Sequence, residues 1–291
     1  MTIWDSCPRK RSRAYTIEAH SQIGKGIIMG KLSGKTVLVT GAARGIGRGI
    51  AETCAKHGGK IVLVDRLPEV EDVAAALRDT GAEAIALAAD VTDPVAMGQI
   101  VAQTLETFGS IDAVCANAGV ARLVPFLEMG DDVRDFHIDV NIKGVWNTVR
   151  AALPPMIDAG KGAVVITSSV TGDLVADPGE TAYALTKAAL VGLTKSLAVE
   201  FAANGIRANC FQPGYVRTPM VDSIAEESCP NDPESVLTEM ATAIPMRRLA
   251  DPAEVGELAA FLASDESSYL TGAQIVIDGG STLPETVSVG V

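Results

Sequence analysis

Cysteine and histidine are too few and too scattered in this 291-residue sequence to build a framework. Its five cysteines (Cys7, Cys54, Cys115, Cys210 and Cys229) form no C-x-x-C pair, and its three histidines (His20, His57 and His137) do not cluster. A disulfide-stapled scaffold is thereby excluded, no zinc ligand set is evident, and a reducing, cytoplasmic setting is expected with no metal. Basic residues are in deficit as well: 24 Lys and Arg face 36 Asp and Glu, a formal net charge of −12. A nucleic-acid groove or a surface for anionic membrane needs the opposite sign. No apolar run is long enough to span a bilayer, and no repeat or linker interrupts the chain.

Charge is distributed unevenly. Residues 1–28 include "CPRKRSR" and hold five basic against two acidic residues. The apolar stretch that a secretory signal requires does not follow. The expectation for 1–28 is a disordered leader, or a start upstream of a working protein that begins at Met29, with a nucleic-acid arm as the alternative. Residues 29–291 read as a single domain.

What is abundant is apolar sequence, 47% of the chain, in a regular rhythm. Short β-branched runs at 36–40, 60–65, 84–90, 112–118, 163–169, 206–213 and 273–278 alternate with helix-length amphipathic stretches such as Gly47–His57 and Pro94–Phe108. Continuous apolar strands separated by helices predict an α/β fold, a doubly wound and mainly parallel seven-stranded sheet with helices on both faces. Ligands then bind beyond the C-terminal ends of the strands. The rhythm breaks from Val221 to Pro252, which is acidic at first and carries prolines at 230, 233 and 245. That insertion, around 221–250, is either a lid over a ligand or an ordinary surface loop.

"TGAARGIG", Thr40 to Gly47, joins the first strand to the first helix. Gly41 permits a tight turn, Gly45 lets backbone approach a pyrophosphate, and Gly47 lets the helix pack on the strand. The helix start, with Arg44 and Ile46, then offers free N–H groups and a positive dipole end to phosphate. Asp65 ends the second strand 18 residues after Gly47 and can accept from a ribose diol, which favours NAD. Arg44 and Arg66 could instead reach the 2′-phosphate of NADP. Asp90 and Val91, at the end of the third strand, would border the adenine.

In "ETAYALTKAAL", Tyr183 and Lys187 are four apart and share a helix face. Alone the pair means little. It is joined by "VITSSV" ending a strand 14 residues before Tyr183, by "ANAG" (116–119), "VNIKG" (140–144), "PGYVRTPM" (213–220) and "VIDGG" (276–280). Together with the glycine turn these resemble the short-chain dehydrogenase/reductase family in its single-domain form, from about Leu32 to Thr282.

The resemblance implies a nicotinamide-dependent oxidoreductase that interconverts a small carbonyl compound and its alcohol. It implies that Tyr183 is the proton donor or acceptor, that Lys187 supplies the cation a phenolate needs and holds the nicotinamide ribose, and that Ser169 rather than Ser168 meets the substrate oxygen. Asn141 would anchor a water in a proton relay. Asn117 and Gly119 would line the cofactor, with Ala116 in place of the usual first asparagine. Pro213, Gly214, Val216 and Thr218 would lie along the nicotinamide. A homotetramer is also implied, and the closing "STLPETVSVGV" could reach a neighbouring subunit. Family epimerases and dehydratases share the Tyr-Lys spacing but differ in the glycine turn. Two alternatives stand beside this reading. One is reduction of 3-oxoacyl groups on acyl carrier protein, against which the acidic surface argues. The other is a non-catalytic dinucleotide-binding redox sensor. Asp173, Asp177 and Glu180 read as a solvated loop that could touch substrate, His137 as a packed or surface histidine, and Arg122 as a candidate anchor for an anionic substrate.

Overall fold

The computed structural model describes residues 30–284. Residues 1–29 and 285–291 lie outside the described residues, and the expectations for the basic segment 1–28 and for the end of the closing segment fall there. Seven short strands form one sheet: β1 (Thr36–Thr40), β2 (Lys60–Asp65), β3 (Ala84–Ala88), β4 (Ala113–Ala116), β5 (Gly162–Thr167), β6 (Ile206–Pro213) and β7 (Gln274–Ile277). Their order is β3-β2-β1-β4-β5-β6-β7, and every neighbouring pair is parallel. All seven apolar runs become strands, but the sequence pattern overruns the ladder at 89–90, 117–118 and 168–169. The composition there stays strand-like while the backbone turns out of the sheet.

The strands read as continuous apolar runs because both faces are covered. Val37, Val39, Ile61 and Leu63 point into one core, shared with α1 (Gly45–Lys56), α2 (Val70–Asp79) and α9 (Pro252–Ala263). Leu38, Val62 and Val64 point into the other, under α3 (Pro94–Phe108), α5 (Val145–Asp158) and α6 (Thr181–Phe201). Alternate side chains of one strand thus serve opposite layers. Asp93 caps α3 through the N–H groups of Val95 and Ala96, and Asp251 opens α9 with a capping box to Glu254. Arg44, before α1, makes no side-chain cap.

Before α5, α4 (Asp131–His137) runs into a π-helical turn, Ile138–Gly144. The segment where the alternation breaks holds α7 (Pro219–Ser228) and α8 (Pro233–Ala243), packed over a small apolar cluster of Val221, Ala225 and Leu237 that is separate from both main cores. Among the described residues, no helix is long and apolar enough to cross a membrane. Successive strands run outward from β1 to β3, and the chain then returns to β4 on the other side of β1. The loops after β1 and β4 therefore diverge and open a crevice at the strands' C-terminal ends.

Candidate active site

The glycine turn forms one end of the crevice. Gly41 (φ +69) and Gly45 (φ +58) adopt the left-handed backbone that glycine permits. Gly47 answers a different need: a Cβ there would collide with the Gly41 carbonyl oxygen. Asn117 ties this turn to the next strands. Its Nδ2 donates to the Thr40 carbonyl at 3.0 Å, its backbone N–H donates to Thr40 Oγ1, and its Oδ1 accepts from Thr167 Oγ1 at 3.1 Å. Asp65 is buried, and its carboxylate accepts from the N–H groups of Ala43 and Leu67, each at 3.0 Å. The residue expected to read the ribose therefore also fastens the glycine turn. Arg44 and Arg66 are exposed. Asp90 is exposed and accepts from the Thr92 N–H and hydroxyl, while the carbonyl of buried Val91 accepts from Asn147. Ile46, in the first turn of α1, is partly buried against the core.

The other end of the crevice draws on β5, α6 and the π-helical turn. Tyr183 is half-buried in the first turn of α6, and its hydroxyl lies beside Ser169. One turn on, buried Lys187 places Nζ 5.6 Å from the Tyr183 ring centre and donates to the Thr167 carbonyl at 2.9 Å. The two adjacent serines divide their tasks: Ser168 donates to the Lys187 carbonyl at 2.8 Å, inside the structure, and Ser169 faces Tyr183. Asn141 is fully buried; its Oδ1 accepts from the Val120 N–H, and its Nδ2 donates to the Val120 carbonyl and to Thr186 Oγ1. Gly119 lies between these groups, where a Cβ would sit 3.3 Å from Asn141 Oδ1 and 3.5 Å from Lys187 Nζ.

Burial dominates the electrostatics. It pushes the Tyr183 phenol up to about 12, which the Ser169 hydroxyl opposes and the Glu180 carboxylate reinforces. Burial likewise draws the Lys187 ammonium down to about 8. Burial, not Lys187, sets the phenol in the protein alone: the expected lowering by Lys187 does not appear, and Tyr183 keeps its proton.

Beyond β6, Pro213 pairs with Ile277 of β7 and Gly214 packs on Asp278. The Val216 side chain is buried in the core, and the loop pairs with Ala250 through the Arg217 N–H and the Tyr215 carbonyl. Only the Val216 main chain can face the crevice. Thr218 caps α7 through the Val221 N–H, and its methyl lies 3.3 Å from where a Gly45 Cβ would be.

A family model described as enoyl-(acyl carrier protein) reductase matches residues 41–282. The oxidoreductase UcpA of Escherichia coli K12 is 66% identical over 263 residues, covering 90% of this chain and all of that protein. The chain belongs to the short-chain dehydrogenase/reductase family. A 3-oxoacyl-[acyl-carrier-protein] reductase, FabG of Staphylococcus aureus Mu50, is 36% identical over 84% of this chain and 97% of its own length. A crystal structure of levodione reductase superposes with a TM-score of 0.83 at 34% identity, covering 86% of this chain and 98% of that one. The protein is accordingly an oxidoreductase of carbonyl and CH–OH groups that uses a nicotinamide dinucleotide.

As a dehydrogenase/reductase, the chain has supporting residues that its sequence gave no reason to single out. Thr40, Thr167 and Thr186 are ordinary strand and helix threonines until the fold joins them to Asn117, Lys187 and Asn141. Glu180 departs from the expected solvated loop: it is half-buried, whereas Asp173 and Asp177 are exposed. The Arg122 guanidinium lies 4.4 Å over the Phe136 ring, and the Arg122 backbone N–H donates to Nε2 of fully buried His137, whose Nδ1 meets the Val133 carbonyl.

Proposed function

We propose that this protein reduces a small aldehyde or ketone, and oxidises the corresponding alcohol, through Ser169, Tyr183, Lys187 and Asn141. The observation that carries the reading is the meeting of Tyr183, Ser169 and Lys187 beside the Gly119 gap, at the ends of β4 and β5. When bound, a reduced nicotinamide dinucleotide supplies the hydride that enters the carbonyl carbon. Ser169 donates a hydrogen bond to the carbonyl oxygen and fixes it near Tyr183. The Tyr183 O–H bond breaks and its proton passes to that oxygen, so the alcohol leaves neutral. Lys187 stabilises the phenolate left behind, and a water beside Asn141 returns a proton from solvent. In oxidation each transfer runs backward.

The dinucleotide is held, in this reading, by Gly41, Arg44, Gly45, Ile46, Gly47, Asp65, Asn117, Gly119, Lys187 and the main chain of 213–218, with Asp90 and Val91 beside the adenine. The uncapped start of α1 fits a pyrophosphate. NAD is preferred because Asp65 occupies the ribose position; Arg44 and Arg66 are the route to NADP. The separate cluster under α7 and α8 supports assigning 221–250 as a lid on one catalytic domain. We also place the protein in the cytoplasm as a homotetramer, a reading supported by Trp146, Leu185 and Val199 exposed on α5 and α6.

Reduction of 3-oxoacyl groups on a carrier protein is the second reading, favoured by the likeness to the staphylococcal reductase. Against it, the segments "PPMIDAGKGA" (154–163) and "EFAANGI" (200–206), which resemble those that carry basic docking residues for an acidic carrier, offer only Lys161, and it is paired with Asp112 at 3.1 Å. The deciding experiment follows NADH and NADPH separately with the purified protein, small aldehydes and ketones, and a 3-oxoacyl carrier protein. Faster NADH loss with small carbonyls is the expected result. Efficient use of the carrier substrate alone sinks the first reading, and no turnover with any compound leaves the redox sensor.

A further inference from the structure

Beyond β4 the chain leaves the sheet along residues 119–126, and three alternate N–H groups of that segment are fastened. That of Val120 donates to Asn141 Oδ1 at 2.8 Å, that of Arg122 to His137 Nε2 at 3.1 Å, and that of Val124 to the Gly179 carbonyl at 3.0 Å. Asn141 also donates from Nδ2 to the Val120 carbonyl at 3.0 Å. His137 and Asn141 lie four apart, at the end of α4 and in the π-helical turn, and both are wholly buried. His137 Nδ1 is 2.8 Å from the Val133 carbonyl, so Nδ1 carries the proton and Nε2 is left to accept.

A cavity of about 420 Å³ opens beside this segment, with Leu123, Pro125 and Phe126 on one side and Pro178, Gly179 and Thr181 on the other. None of these six residues is charged, and Leu123 and Phe126 expose apolar side chains. The neighbouring cation, Arg122, is engaged over the Phe136 ring instead. The cavity adjoins the reaction site along both chain segments. Leu123 comes four residues after Gly119, where a Cβ would sit 3.5 Å from Lys187 Nζ, and Thr181 comes two residues, about 3 Å of helix rise, before Tyr183. We propose that this cavity receives the hydrocarbon part of the substrate, a neutral and apolar ketone or aldehyde, and that His137 is the positioning residue that fixes its Leu123–Phe126 wall.

The inference rests on the carbonyl chemistry proposed above for Tyr183 and names the substrate class of that site. Each CH₂ group moved from water onto such a surface strengthens binding by roughly fourfold at full burial. A carboxylate on the same chain would lose hydration with no cation among the lining residues to meet it. The wall gives this advantage only if it is already ordered, since ordering a loose segment on binding consumes part of the gain. Asn141 secures the segment at Val120 and the Gly179 carbonyl secures it at Val124. His137 closes the span between them, and without its acceptor the Arg122 N–H loses its partner.

The test compares 2-octanone, 2-butanone and 7-oxooctanoate as substrates with the reduced dinucleotide. The wild type should show a kcat/KM for 2-octanone about tenfold or more above that for either of the others. His137→Phe keeps the bulk and removes the acceptor, so the KM for 2-octanone should rise about fivefold with a smaller fall in kcat. His137→Gln, which keeps an acceptor, should recover most of that KM. Phe126→Ser should cut the preference for 2-octanone over 2-butanone several-fold. A wild type that favours 2-butanone or 7-oxooctanoate overturns the substrate class, and an unchanged KM in His137→Phe overturns the positioning role. If His137→Phe does not fold, an unchanged preference in Phe126→Ser overturns the wall itself. Binding of 2-octanone to the complex with oxidised dinucleotide, followed by calorimetry, is readable without turnover. Binding there with no carbonyl compound turned over overturns the Tyr183 reading alone; turnover with no preference for 2-octanone overturns this inference alone; neither binding nor turnover overturns both.

Discussion

The two ends of the crevice are built on different principles. The glycine turn is local: residues 40–47 carry its conformation, and the groups it presents are main-chain N–H donors. The other end is assembled from segments around residues 119, 141, 169 and 183–187, and it holds a buried ammonium beside a half-buried phenol. A turn of this kind is limited by space, whereas the pair is limited by electrostatics. Steric changes should therefore damage the first end most, and changes of charge or proton the second.

The largest expected effect separates chemistry from binding. Tyr183→Phe removes the proton and little volume, and turnover should fall by about 10²–10⁴ while NADH affinity stays within about twofold. Steady-state rates and a fluorescence titration of NADH check this; retained turnover breaks the distinction between the two ends. Gly47→Ala inverts the pattern. Its Cβ meets the Gly41 carbonyl and lies 2.6 Å from Asn117 Nδ2, so stability should drop by about 1–3 kcal/mol and NADH binding should weaken with it. Denaturant unfolding and the same titration report both.

The third effect is smaller and opposite in sign. Lys187 holds its ammonium at about 8 in the folded state against 10.5 in the free side chain. Between those values the unfolded chain binds more protons, so this residue makes stability rise with pH across the window, and its full cost is present below it. Lys187→Met should abolish turnover and stabilise the fold by about 1–3 kcal/mol at pH 7, the lost bond to the Thr167 carbonyl offsetting part of the gain. The advantage should shrink from pH 8 upward. A variant less stable than wild type at pH 7 would show that the hydrogen bond outweighs the burial.

Most of the fold was legible because its signals are short-range. Continuous apolar runs, helix-length spacers and a glycine turn between the first strand and helix lead to the sheet that forms. The overruns at 89–90, 117–118 and 168–169 mark where this fails, since leaving a sheet costs no change in residue type. Ser169 and Ser168 are chemically identical, and only the path of the backbone beyond β5 decides which meets Tyr183 and which the Lys187 carbonyl. Val216 could be named from its neighbours, but not that its side chain belongs to the core. Glu180 reads as solvated because carboxylates before helices usually are, and no local signal reports the loop that covers it.

By itself the sequence determined the layers, the parallel sheet and the position of the glycine turn, because backbone preference and apolar period act over a few residues. It also placed Tyr183 and Lys187 on one helix face, which follows from 3.6 residues per turn. Only the tertiary structure decided their protonation, the division of labour between the serines and the partial burial of Glu180. Those depend on what desolvates each group, and the desolvating atoms come from parts of the chain far away in sequence.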